Sequence, residues 1–156
     1  KTKKKMSNSF YVYNNEAITA LVLKKYLQYC KSIEISRLFI ILPILLSDKS
    51  VEVLRDENFE NFENFIQKYP SLFSSFNDKY LELMPIVINS VTILKEMKDV
   101  VSEKNTINYV EGGLININED LIGNRIINIF FAIPKFIELM SNYETSSLYK
   151  ILKIRL

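Results

Sequence analysis

The chain contains no histidine, no tryptophan and a single cysteine, with only three glycines and four prolines in 156 residues. Without histidine it lacks the commonest general acid or base and the commonest metal ligand. One cysteine excludes an intramolecular disulfide and suits a reducing, cytoplasmic setting, in which Cys30, between Tyr29 and Lys31 in a helical pattern, acts as a small apolar side chain. The scarcity of glycine leaves no phosphate-cradling loop: no GxxxxGK[ST] stretch occurs, and Gly112-Gly113 is followed by neither the Lys nor the Ser or Thr of that motif. No serine stands in a GxSxG setting. These absences argue against an enzyme, a metal site and a cofactor.

Long apolar runs are missing too. The longest, Leu38 to Leu46, is about half the roughly 20 residues that cross a bilayer, and Pro43 interrupts it. The Lys-rich start is followed by Ser7, Asn8 and Ser9 rather than by an apolar stretch, so no export signal and no membrane partner are expected. Basic charge in the body is likewise short. The net charge is +2, but Lys1, Lys3, Lys4 and Lys5 supply four of the 20 cations, and without them 16 face 18 acids. Residues 1–13 read as a basic, flexible tail, and DNA affinity, if any, belongs to it.

What is present is apolar and helical: 48% of residues are hydrophobic and mean hydropathy is +0.05, enough for one packed core over residues 14–156. Ala20, Leu23, Leu27 and Cys30 recur at helical spacing, with Lys24, Gln28 and Lys31 opposite and Asn14 or Asn15 as cap. Leu38 to Leu46 is apolar all round, so its period does not separate a buried strand from a buried helix; it reads as helix with a break near Pro43. Asp48 to Ser50 reads as a loop. Phe59, Phe62 and Phe65 form a core-facing stripe, with Glu57, Glu60 and Glu63 on a solvated face rather than around a metal. After Pro70 a stripe of Phe73, Phe76, Tyr80, Leu83, Val87, Val91 and Leu94 predicts a helix kinked or divided at Pro85.

The period then changes to two. Ile107 and Tyr109 on one side of Gly112-Gly113, and Ile115 and Ile117 on the other, predict a hairpin with positive φ at its glycine turn. From Glu119, capped by Asn118, a helix carries Ile122, Ile126, Ile129, Ile133, Ile137 and Met140 past Pro134. A last element, Leu148 to Leu152, has Thr145 or Ser146 as cap. The fold class expected is a mainly α single domain with a small β-hairpin, winged-helix-like, a layout used both on DNA and on proteins.

Several segments resemble the middle component of three-component ABC ATPase systems. Asn15-Glu16-Ala17-Ile18-Thr19-Ala20-Leu21-Val22-Leu23 is similar to that family's opening Asn-Pro-Ala-x-x-Ala-Leu-Leu-Leu helix, and Phe39 to Leu46 to its apolar segment ending Leu-Pro-Leu-Leu-Leu. Leu83-Met84-Pro85 resembles its mid-helix proline, Ile133-Pro134-Lys135-Phe136-Ile137 its Leu-Gly-Arg-Trp-Phe stretch, and Leu152-Lys153-Ile154-Arg155 its closing Leu-Gly-Val-Arg. Glu16 stands for the family's Pro, and Pro134 and Lys153 for its glycines. The blocks keep their order from Asn15 to Leu156.

The resemblance implies a bacterial, Lamassu-type anti-phage assembly. In it a small non-catalytic subunit bridges an SMC-like ABC ATPase and an effector, often a nuclease, and meets DNA only through the complex. Docking is expected on parts of Leu38 to Leu46 and Ile122 to Met140 left uncovered in the monomer, with Arg125, Lys135 and Phe136 as partner-binding residues. The alternative is a winged-helix nucleic-acid-binding regulator contacting phosphates through Lys1, Lys3, Lys4, Lys5 and Lys104. Arg125 and Lys135 are the only cations of the last long helix and Lys104 the one near the hairpin, too few for a strong phosphate footprint.

Overall fold

The computed structural model describes the backbone of residues 2–156 and the side chains of residues 15–156, so the side chains of the basic tail expected over residues 1–13 lie outside what is described. Helix α1 (Thr2–Cys30) buries Ala20, Leu23 and Leu27 as the stripe predicts, and Val22 and Tyr26 widen the buried face. Asn15 lies inside this helix, its carbonyl accepting from Thr19 Oγ1 at 2.7 Å, and so does not cap it. Lys24, expected in solvent, is buried.

Strand β1 (Ser32–Glu34) leads directly into α2 (Ile35–Leu45), which settles the ambiguous apolar run as helix. Leu38, Ile40, Ile41, Leu42, Ile44 and Leu45 are all buried, so α2 is the central rod around which the other helices gather. The run is therefore largely covered within the chain, and only Phe39 and Leu46 keep partial exposure. Pro43 removes one N–H in the last turn, and the helix ends two residues beyond it rather than at it.

The expected loop at Asp48 to Ser50 is instead the first turn of α3 (Asp48–Asp56). Ser47 caps it by accepting from the Ser50 N–H at 3.4 Å, and Asp48 suits the positive helix end. Only Phe62 and Phe65 of the phenylalanine stripe lie on a helix, α4 (Phe62–Lys68), capped by Asn61. Phe59 precedes it and stacks on Phe65 with ring centroids 4.7 Å apart. After a 3₁₀ turn at Pro70–Leu72, α5 (Phe76–Glu96) runs unbroken through Pro85. Phe76, Tyr80, Val87 and Leu94 are buried along it, and Ser90 Oγ donates to the Glu16 carbonyl at 3.0 Å where α5 meets α1.

A three-stranded antiparallel sheet follows from β2 (Val100–Glu103) and β3 (Thr106–Tyr109), in the order β1-β3-β2. The alternation at Ile107 and Tyr109 is thus a strand, but its hairpin partner is Val100–Glu103, not Ile115 to Ile117. Ile107 opposes Ile33 and, with Val100, points into the core, which fixes the register. The hairpin turn is Lys104-Asn105, with Lys104 at φ 52°, whereas Gly112 has the expected positive φ, 79°, in a separate turn beyond β3.

Asn118 caps a 3₁₀ turn, Glu119–Leu121, by accepting from the Asp120 N–H at 3.1 Å; the long helix α6 (Asn124–Met140) begins later, after Gly123, and continues through Pro134. Helix α7 (Thr145–Ile151) closes the fold. Thr145 lies inside it rather than capping it: its hydroxyl donates to Glu34 and accepts from Arg37 Nε, both at 3.0 Å. Among the described residues no helix is long and apolar enough to cross a membrane.

Candidate interaction surface

The two cations of α6 reach across the surface to α3. Arg125 Nε donates to Asp48 at 2.8 Å and its terminal nitrogen to the Leu46 carbonyl at 3.1 Å, at the start of α3. Lys135 Nζ donates to the Glu57 carbonyl at 2.9 Å, at the other end of α3, where a cation satisfies free carbonyls and the negative pole of the helix. Both clamp one helix to its neighbour. Phe136, expected at an interface, is fully buried. It lies on the same helical face as Ile129, Ile133 and Met140, at i+3 from Ile133, so it belongs to the core stripe. Lys104 is exposed at the hairpin tip, and the side chains of Lys1, Lys3, Lys4 and Lys5 lie outside what is described.

Among the described residues one ion pair is deeply buried. Lys24 Nζ sits 2.5 Å from Asp99 Oδ1 and also donates to the Ile115 carbonyl, while Asp99 Oδ2 accepts from the Ile115 N–H at 3.2 Å. Asp99 is completely buried at the end of α5, and the loop after β3 folds over it. Gly113 makes that possible: a Cβ there would lie 2.2 Å from Asp99 Oδ1. The site is saturated and has no open position for a substrate.

Elsewhere, burial pushes the Cys30 thiol up to about 11, so at neutral pH it is protonated and unreactive. Ser147 and Lys150, spaced as a nucleophile and base could be, share α7, but no hydrogen bond joins their side chains among the described residues. Also among the described residues, no three carboxylates or thiols gather as a metal-holding group.

What the surface does offer is apolar. Phe131 is 70% exposed on the face of α6 opposite its core stripe, roughly 180° away at about 100° per residue. Ile127 and Pro134, at i−4 and i+3, share that face with the exposed Glu138 at i+7, and Leu121, 82% exposed, stands in the turn just before the helix. A large ring held in water costs free energy unless something covers it, which makes this face the strongest docking candidate on α6. Sequence reading followed the isoleucine stripe and passed over the opposite face, although counting 100° steps from Ile129 would have placed Phe131 there.

Comparison with curated proteins and with solved structures finds no match. Comparison with protein families does: residues 4–156 match the family described as ABC-three component (ABC-3C) system Middle Component 3. The match takes in the buried α2 rod, the sheet, the Lys24–Asp99 pair and the Phe131 face together, and the chain belongs to this Middle Component 3 family.

Proposed function

We propose that the chain is a non-catalytic subunit that bridges an SMC-like ABC ATPase and an effector in a Lamassu-type anti-phage assembly. The observation that carries this reading is the exposed Phe131 face on a chain of a middle-component family. A middle component works among other components, and an aromatic anchor with apolar neighbours is the kind of patch that association buries. The saturated Lys24–Asp99 site and the protonated Cys30 thiol suit a scaffold better than a catalyst.

The test is reconstitution from the purified ATPase, the third component and this chain. The bridge reading predicts that the ATPase and the third component migrate together on size exclusion only when this chain is present. Stable association of those two without it would overturn the reading.

A second reading, a winged-helix regulator of nucleic acid, has one observation in its favour: helices followed by a β2-β3 hairpin whose sheet is completed by the earlier β1. Charge weighs against it. On the outer sheet face Glu34 and Glu103 flank Thr106, and the hairpin tip adds only Lys104. Phosphate binding to this surface would be weak.

A further inference from the structure

A bridge needs a second docking face, and we propose that the groove between the start of α2, α7 and the β2-β3 turn receives an acidic partner segment anchored by an apolar side chain. The inference rests on the bridging reading, and the groove shares no lining residue with the Phe131 face. It is open to solvent, with a volume of about 910 Å³. Its floor is Ile35, Phe39, Tyr80 and Tyr149, with the Phe39 and Tyr80 rings 6.0 Å apart and Tyr80 and Tyr149 5.9 Å apart, edge to face. The Tyr149 hydroxyl donates to the Ser36 carbonyl at 2.7 Å and lies 3.2 Å from the Tyr80 hydroxyl, so the polar tips are occupied within the fold. The floor is therefore held in place and apolar.

The rim selects the sign of the occupant. Lys104 and Lys150 are exposed on opposite elements, and among the described residues neither pairs with a carboxylate. The one acid lining the groove, Glu34, accepts from the Thr145 hydroxyl, so two ammonium groups stand against a single carboxylate there. An acidic segment answers the two lysines. Two cations are too few for a nucleic-acid backbone, and a second copy docked groove to groove would bring like charges together.

The test uses the reconstituted assembly, with a photo-crosslinking phenylalanine analogue in place of Ser146 at the groove. The expected crosslink lands on a segment of another component in which Asp or Glu neighbours Leu, Ile or Phe. The double reversal Lys104→Glu/Lys150→Glu, on exposed positions, should leave the melting temperature unchanged and weaken that component's binding at least roughly tenfold. A crosslink to nucleic acid, to a second copy or to a neutral or basic segment overturns the inference, as does binding untouched by the double reversal. An assembly that forms normally around a silent groove overturns this inference alone; a wild-type chain that joins no component overturns the bridging reading with it.

Discussion

At Asp99 one carboxylate ties together α1, the end of α5 and the loop after β3, so the fold is sensitive there to single atoms. Gly113→Ala would drive a methyl to within 2.2 Å of Asp99 Oδ1 and 2.7 Å of its Cα, and backbone cannot swing aside as a side-chain tip can. It should cost about 1–3 kcal/mol in urea unfolding, the usual penalty of overpacking. Gly123→Ala, with nothing within 4 Å, should cost far less. Equal losses at the two glycines would show that the close approach to Asp99 is not what Gly113 provides. Asp99→Ala strands the Lys24 ammonium in a dry site and should cost about 3–5 kcal/mol. Adding Lys24→Met removes the stranded charge and should restore part of the loss; strictly additive losses would mean that the two side chains do not act as a pair. This centre was not legible in the sequence. Lys24 sits at a position that periodicity assigns to solvent, and its partner is 75 residues away.

Among the elements, helix ends show why the reading of segments succeeded and where it failed. The long stripes of α5 and α6 repeat through several turns and were recognisable. The short α3 was hidden, because Asp48-Lys49-Ser50 has loop composition and becomes a first turn only through the Ser47 cap. The hairpin was misplaced because glycines mark turns strongly, whereas the actual turn uses Lys104 at positive φ, a choice sequence alone does not announce. Lysine takes that conformation again at helix ends. Lys98 follows α5 and Lys153 follows α7 at φ 58° and 54°, and the N–H two residues past each cap bonds back into the helix, Asp99 to Leu94 at 2.9 Å and Ile154 to Tyr149 at 3.1 Å. Lys153 is the position at which the family resemblance has glycine, and the backbone explains why: glycine occupies this region without steric cost. Lys153→Gly should therefore stabilise the chain by about 1 kcal/mol, read as a higher melting temperature. A lower one would mean that the lysine side chain contributes more than the strain removes.

For the whole molecule, the class was legible: an α-rich domain with a small sheet, around an apolar run that is core at every position but Phe39 and Leu46. The candidate docking face was legible only in part. The choice of α6 rested on its apolar content, but Phe136 had to be distinguished from Phe131, and that distinction is one of angle on the helix, five residues apart along the chain. Arg125 and Lys135, read as rim charges, also bond to the two ends of α3, which periodicity does not show. The central claim is that this chain works by presenting the Phe131 face to a partner, and the most direct measurement is the affinity of Phe131→Asp for the ATPase and third component by isothermal titration. Because Phe131 is 70% exposed, the substitution should leave the melting temperature within about 1 °C. The account predicts that binding to one of the two components falls by at least roughly thirtyfold, the loss expected of a central aromatic anchor. Affinity for both components unchanged, in a variant that melts like the wild type, would contradict it.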